Sequence, residues 1–334
     1  MSRRLLSLFF ALFLCLPLIA APLKIGVFIP GQREGSPIYD SLAAGAERFA
    51  SENPGSSVRV FEAGFNQAEW QEKLTSFVGS NRFDVILTSN PSLPDLIEAI
   101  APFFPSQKFI CLDGYKTGVS ALHTVLYNQT EQGYIAGYLA GLISSSALPG
   151  ANPQKKAGMI IGQHYPVMDT LIAPGFEQGL KAVDPSFGLD IRVLGNWYDA
   201  TKASDLAKSM IASGVDVILP ICGSASQGVV KATKDLNRYL VFFDSDEYAR
   251  APGTILGCVA LKQKELAYAK LAEFAQKETP WGRADVVGVK EGFIELLDKH
   301  PGYAQNLPQS IRGRMSDLIA GIASGALSFP APRL

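Results

Sequence analysis

The sequence predicts an α/β fold with two doubly wound parallel-sheet lobes joined by a multi-strand hinge. Short apolar runs alternate with longer amphipathic runs, which is typical of a parallel sheet covered by helices on both faces. This alternation occurs twice along the chain, and the chain then returns toward the first series. With 334 residues, 47% of them apolar, the chain is long enough to build two hydrophobic cores.

The first series predicts the N-terminal lobe, residues 23–125 plus about 259–285. The apolar run at 24–30 predicts a buried strand, and Leu42, Ala46 and Phe49 share one face of the helix that follows. The remaining elements of this series are strands at 57–63, 83–89 and 108–113 and helices at 39–52, 67–80 and 94–104.

The second series predicts the C-terminal lobe, residues 128–257 plus about 286–334. It opens with a helix at 132–146 that is rich in small residues and therefore suited to close packing. Its other elements are strands at 156–162, 190–196, 215–221 and 238–244 and helices at 169–184, 203–214 and 226–236. A strand at 254–261 and a helix at 264–278 follow, so we expect crossings near 124–128, 257–261 and 283–288. More than one crossing predicts a hinge between the lobes.

Residues 1–20 have the pattern of a secretory signal peptide. Arg3 and Arg4 precede an apolar run at 5–18, and small residues follow at its end. We therefore expect an exported, periplasmic protein. Cys15 leaves two alternatives open: an ordinary residue of the apolar segment, or a lipidation site that anchors the protein to a membrane. The three other cysteines lie near strand ends and are expected to be buried thiols.

The formal net charge of -1 gives no basic field for nucleic acid. The chain contains no zinc-ligand spacing, phosphate-binding loop or recognisable nucleophile with a base. We therefore expect a binding protein that needs no cofactor. The rival interpretations are an exported α/β enzyme that uses Asp113 or Asp244, and a sensor domain of the same fold.

Ligands of open parallel sheets bind outside the carboxyl ends of the strands. The side chains that follow the predicted strands are mostly aromatic, carboxylate and amide groups. Trp197 and Tyr198 stand together after one strand, where they either stack on a flat ring or cover apolar surface under a loop. The predicted ligand-binding residues are Tyr39, Asp40, Asn90, Asp113, Tyr165, Trp197, Tyr198, Gln227, Asp244 and Asp246.

Over about residues 23–295 the chain resembles the basic membrane protein family, the purine-nucleoside-type substrate-binding lipoproteins of ABC importers. The most specific stretches are "PVMDTLIAPGFEQGLKAV" (166–183) and "DSDEYARAPGT" (244–254). The resemblance implies a periplasmic-binding-protein type I fold, a ligand held between the lobes, no catalysis, and permease and ATPase subunits as partners. We expect a monomer.

Among members of this family the chain looks most like the riboflavin-uptake binding lipoproteins. Where the family carries a lysine that contacts a ribose, this chain has Leu261–Lys262, so that contact is expected to be lost. The stretch "NWYD" (196–199) adds aromatic area where many members have "SFND". These departures favour riboflavin as the ligand, with a purine nucleoside as the alternative.

Overall fold

The computed structural model describes residues 22–80 and 83–330 and contains two six-stranded sheets. The predicted signal peptide and Cys15 lie outside the described residues. All strands of the first sheet are parallel. In spatial order the first sheet consists of β11 (Ala284–Val287), β5 (Leu122–Tyr127), β4 (Lys108–Leu112), β3 (Val85–Ser89), β1 (Lys24–Ile29) and β2 (Ser57–Glu62).

The second sheet repeats this order, with one antiparallel strand at its edge. It consists of β12 (Ile294–Leu296), β10 (Ile255–Leu261), β9 (Tyr239–Asp244), β8 (Val217–Ile221), β6 (Lys156–Ile161) and β7 (Gly188–Val193). Central strands such as β3, β5 and β10 are buried along their whole length, because helices cover both faces of each sheet. The predicted α/β fold with two parallel-sheet lobes is confirmed.

The helices divide between the lobes as the strands do. The first lobe has α1 (Pro37–Glu52), α2 (Trp70–Ser80), α3 (Leu93–Ile100) and α8 (Gln263–Ala275). The second lobe has α4 (Gln129–Ser144), α5 (Ala173–Val183), α6 (Ala200–Ala212), α7 (Ser226–Asp235), α9 (Pro301–Ala304) and α10 (Gln309–Ser324). No helix within 22–80 and 83–330 is long and apolar enough to span a bilayer.

Helices α4 and α5 pack backbone against backbone. A Cβ atom on Gly137 would lie 2.0 Å from the carbonyl oxygen of Phe176, and one on Gly179 would lie 2.2 Å from that of Tyr134. Gly133 and Gly175 are equally crowded by the opposite backbone. The small residues of α4 are therefore required by the close approach of the two helices, as the sequence predicted.

The chain crosses between the lobes after β5, after β10 and between β11 and β12. The first and third crossings are joined where the Asn128 N–H donates to the Val287 carbonyl at 2.8 Å. The second and third are joined where the Lys262 N–H donates to the Phe293 carbonyl at 2.9 Å. β10 stays in the second sheet to Leu261, whereas the sequence placed the change of lobe near 259. The crossings thus form one hydrogen-bonded hinge.

Candidate functional site

The two lobes repeat one backbone arrangement at the carboxyl ends of their strands. The Gly64 N–H donates to the Gly31 carbonyl at 3.0 Å, and the Gly195 N–H donates to the Gly162 carbonyl at 2.8 Å. Gly64 and Gly195 both have left-handed backbones, with φ of 73° and 86°. The loop after β2 therefore corresponds to the loop after β7. Each loop carries an aromatic residue that packs on the glycine whose carbonyl accepts this hydrogen bond, Gly31 in the first lobe and Gly162 in the second.

In the second lobe this aromatic residue is Trp197. A Cβ atom on Gly162 would lie 2.5, 2.6 and 2.7 Å from three atoms of the indole, and such nearly equal distances mean that the ring lies face-on to the glycine. The Trp197 carbonyl accepts hydrogen bonds from the Ala225 N–H and the Ser224 hydroxyl, both at 3.2 Å. Trp197 is half-buried, and the Tyr165 ring lies beside it with centroids 6.3 Å apart. The indole is thus supported on the face that meets Gly162.

In the first lobe two aromatic residues lie over Gly31. A Cβ atom there would lie 2.9 Å from the Tyr39 ring and 3.1 Å from the Phe65 ring. The Tyr39 hydroxyl accepts a hydrogen bond from the Asn90 amide at 3.2 Å, so two of the predicted residues meet. The Phe65 side chain is 64% exposed. Phe65 is not among the residues predicted from the sequence. It directly follows Gly64, whereas Trp197 lies two residues after Gly195.

Asp113 directly follows β4 in the first lobe, and Asp244 is the last residue of β9 in the second. Both have left-handed backbones, with φ of 52° and 67°, a conformation that aspartate tolerates better than most residues. Desolvation by burial raises the pKa of Asp113 to about 8, and the negative charge of Asp244 adds to this rise. Burial also raises the pKa of Asp244 to about 6. The two predicted carboxylates thus lie at the ends of corresponding strands in the two sheets, and the charge of Asp244 acts on Asp113.

Gln132 is a second residue that the sequence analysis did not select. It is fully buried on the first turn of α4, and its side-chain amide donates to Asp244 Oδ1 and to the Val259 carbonyl, both at 3.0 Å. This donation favours the ionised form of Asp244 and therefore works against the rise of its pKa. Gln132 ties the carboxylate to a hinge strand, but nothing in the local sequence pattern distinguishes it from a packing residue.

Four predicted residues make their contacts elsewhere. Asp40 forms an ion pair with Arg33 at 2.8 Å on the exposed surface of α1. Asp246 accepts a hydrogen bond from the Tyr248 N–H at 3.2 Å and is half-exposed beside His300. Tyr198 is 75% exposed, and Gln227 is exposed on the first turn of α7. None of these contacts involves Asp113 or Asp244, and the role of the four residues toward a ligand stays a prediction.

The cysteine thiols are buried in the part of the chain that the structure describes. Cys111, Cys222 and Cys258 are buried free thiols, as predicted, and desolvation raises the pKa of each. A raised pKa lowers the thiolate fraction and with it the reactivity. Within 22–80 and 83–330, no group of three His, Cys, Asp or Glu side chains is arranged to hold a metal ion. The side chains of the cleft are suited to stacking and hydrogen bonding.

Comparison with known proteins gives a consistent result. The family model described as PnrA-like ABC transporter substrate-binding protein (Bmp) matches residues 23–328. The chain is 23% identical over 281 residues to a CD4+ T-cell-stimulating antigen of Listeria monocytogenes, covering 79% of this chain and 75% of that protein. It is 26% identical over 253 residues to a purine-binding protein of Brucella abortus, covering 74% and 66%.

Alignments with relatives from Listeria innocua and Lactococcus lactis span 46% and 39% of those proteins' lengths. Among solved structures, an ABC transporter solute-binding protein from Aeropyrum pernix superimposes with a TM-score of 0.77 at 20% identity, covering 93% of this chain and 94% of that one. This likeness confirms the periplasmic-binding-protein type I fold that the sequence predicted.

Proposed function

Since the chain belongs to the PnrA-like family of ABC transporter substrate-binding proteins, we propose that it binds riboflavin in the cleft between its lobes and delivers it to the transporter's membrane permease. The protein works without catalysis, as a monomer, in the periplasm after export. Whether the amino-terminal segment is removed or carries a lipid on Cys15 is read directly from the mass of the mature protein.

The observation that carries this proposal is the half-buried indole of Trp197, which is held face-on to Gly162. Its second face receives the flavin ring, because offset stacking of two flat rings adds to the free energy of area burial. Phe65 occupies the corresponding position in the first lobe and covers the other side of the ring when the lobes close. Tyr165 extends the aromatic surface beyond Trp197.

The carboxylates supply hydrogen-bond acceptors. An isoalloxazine ring presents an N–H group, and the ribityl chain presents several hydroxyl donors. Asp113 and Asp244 accept from these groups, and charge-assisted hydrogen bonds of this kind are stronger than neutral ones. Asn90, held by Tyr39, adds an amide that both donates and accepts.

A purine nucleoside is the second candidate, and the purine-binding relative of Brucella abortus supports it. The chemistry of the cleft is compatible with either ligand, since a purine is also flat and a ribose also donates. Leu261 favours the flavin, because the family resemblance implies a ribose-contacting lysine at this place and leucine offers no ammonium group. The next residue, Lys262, pairs with Glu295 at 2.7 Å in the hinge.

One titration separates the two ligands. The purified protein, freed of co-purified ligand by unfolding and refolding, is titrated with riboflavin by fluorescence and with inosine and guanosine by calorimetry. We expect tight riboflavin binding with quenching of flavin fluorescence, because the indole stacks on the excited ring. Tight nucleoside binding without flavin quenching assigns the cleft to nucleosides. Chromatography of the incubated ligands should return them unchanged, and time-dependent cleavage would contradict a purely binding role.

A further inference from the structure

Strand β7 lies at the edge of the second sheet and has one open side. Among the strands of the described chain it pairs only with β6, to which it is parallel. The N–H groups of Gly188 and Leu194 donate toward β6 at 3.0 and 2.8 Å. Because alternate residues of a strand bond to the same neighbour, the odd-numbered residues direct their backbone groups to the open side. These residues are Leu189, Ile191 and Val193.

The side chains of β7 fall into two sets. Leu189, Ile191 and Val193 share one face of the strand, and the last two are 41% and 38% exposed. Asp190 and Arg192 share the other face, where they form an ion pair at 2.9 Å and keep 20% and 23% of their side chains exposed. Natural edge strands are often protected by proline or lysine, since unpaired backbone groups invite another chain. β7 contains neither residue.

The charges of β7 are complementary to those of a second, antiparallel copy of the strand. A two-fold axis at Asp190 would place two carboxylates directly opposite each other, and an axis at Arg192 would do the same with two guanidinium groups. An axis at Ile191 places each Asp190 opposite the Arg192 of the other copy. Opposite charges stabilise a cross-strand pair and like charges destabilise it. The charges therefore select the register centred on Ile191.

The free backbone groups select the same kind of register. With the axis at Ile191, the two Ile191 residues form a hydrogen-bonded pair in which each N–H donates to the carbonyl of the other copy. Leu189 pairs in the same way with Val193 of the second copy. Asp190 and Arg192 then fall at non-hydrogen-bonded positions, where opposite Cα atoms are only about 4.5 Å apart and the side chains are closest. Backbone and side chains thus agree on one arrangement.

Strand β2, the corresponding edge of the first sheet, lacks this complementarity. Its charged residues are Arg59 and Glu62, three positions apart and therefore on opposite faces of the strand. Residues on opposite faces cannot meet as a cross-strand pair in any self-pairing. Of these two edges, only β7 is suited to a second copy of itself.

We propose that β7 is a docking edge for a second copy of this chain, which joins the second sheets of both copies into one continuous sheet. The proposal goes beyond the proposed function and does not depend on the ligand. A single strand pair is smaller than the interfaces of stable dimers, which bury about 1,200–2,000 Å². The dimer therefore forms at high protein concentration, and the dilute protein is a monomer. Because the two-fold pairing occupies the open side of both strands, assembly stops at the dimer.

The test is analytical ultracentrifugation of the ligand-free protein over rising concentration. We expect the sedimentation coefficient of the wild type to rise to that of a dimer. Asp190→Arg gives a strand with two positive charges and Arg192→Asp one with two negative charges, so each variant alone should lose the dimer. An equal mixture of the two should regain it. The ion pair within the chain is absent from both variants, so only contact between copies explains the recovery.

The controls reverse the charges of an exposed ion pair on α7. Lys231→Asp and Asp235→Arg change the net charge by the same amounts as the β7 variants and should keep the wild-type association. A wild type that stays monomeric at every concentration overturns the proposal, and so does a mixture of the β7 variants that stays monomeric. Assemblies larger than a dimer also overturn it, because they require a second edge.

Two further variants of Ile191 keep the proposal testable if the charge variants do not fold. Ile191→Pro removes an N–H on the open side and leaves the hydrogen bonds to β6, so the dimer should be lost without a change in thermal stability. Ile191→Cys places two thiols on the two-fold axis, at a Cα separation of about 5.5 Å that suits a disulfide. Oxidation should cross-link this variant faster than Leu189→Cys, which the register places opposite Val193. Equal rates would overturn the register, and a dimer that persists in Ile191→Pro would overturn the interface.

Discussion

The ligand-facing sides of the two lobes differ in how firmly their groups are held. In the second lobe the Trp197 carbonyl is anchored by two donors and Asp244 is tied to Gln132. In the first lobe Phe65 is largely exposed and Asp113 Oδ1 has no partner. A site whose groups are fixed before binding loses less conformational entropy when the ligand arrives. We infer that the ligand docks first on the second lobe and that the first lobe closes over it.

Removal of the indole should have the largest effect on ligand affinity. Trp197→Ala loses buried aromatic area and stacking, so we expect a loss of about 2–4 kcal/mol of binding free energy. This corresponds to a roughly 30- to 1,000-fold weaker dissociation constant, measured by fluorescence titration. Tyr198→Ala removes the neighbouring exposed ring and should change affinity less than threefold. Equal losses for the two variants would contradict a stack carried mainly by the indole.

Displacement of the indole should have the next largest effect on ligand affinity. Gly162→Ala places a methyl group about where the ring now lies, since a Cβ atom would be 2.5 Å from it. Overpacking of this kind costs about 1–3 kcal/mol, and the half-buried ring relieves it by moving away from its present position. We expect weaker ligand binding with a small change in thermal stability. Gly188→Ala, whose Cβ would meet nothing within 4 Å, is the matched control in the same sheet.

Truncation of Phe65 in the first lobe should lower the binding free energy less than truncation of Trp197 in the second. We expect Phe65→Ala to weaken binding by about 1–2 kcal/mol, because the ring stacks on the ligand only after closure. The loss should appear mainly as faster dissociation in stopped-flow measurements. Phe103→Ala removes an even more exposed ring, 77% accessible, from the same lobe and should leave both rates unchanged. A Phe65 effect larger than the Trp197 effect would reverse the proposed order of docking.

Loss of the Gln132 amide should give the smallest change in affinity and a diagnostic change in titration. Gln132→Leu removes a donor to the ionised carboxylate, so the pKa of Asp244 should rise above its present value of about 6. Carbon-13 NMR of labelled aspartate measures this shift. We expect an affinity loss of about 0.5–1.5 kcal/mol at neutral pH. Gln309→Leu, on the surface of α10, is the control, and an unchanged Asp244 titration in Gln132→Leu would show that the amide does not act on the carboxylate.

The fold was predictable because the periodicity of the chain is regular. Runs of mostly apolar residues such as 85–89 and 255–261 have the composition of central parallel strands, and the structure has them as β3 and β10. The position of Asp113 and Asp244 at the carboxyl ends of β4 and β9 was also predictable. Their role toward a ligand stays a prediction, based on the rule that ligands of such sheets bind beyond the strand ends.

Gln132 and Phe65 were not predictable in the same way. Gln132 lies on a helix whose remaining residues pack in the core, and only the relative placement of α4 and β9 brings it to Asp244. Phe65 was missed because its loop follows an edge strand with little apolar character. Asp40 follows Tyr39 directly, but successive residues of a helix point in different directions, and Asp40 turns toward Arg33 instead of toward Asn90.

The glycine contact between α4 and α5 has a consequence for how motion of this protein can be observed. Two helices whose backbones touch cannot slide or tilt against each other without a clash of main-chain atoms. The two helices therefore move as one rigid body, which is attached to the first crossing of the hinge. Distances from spin or fluorescent labels on the exposed side of α5 to the first lobe will report the hinge angle, with no contribution from rearrangement inside the second lobe.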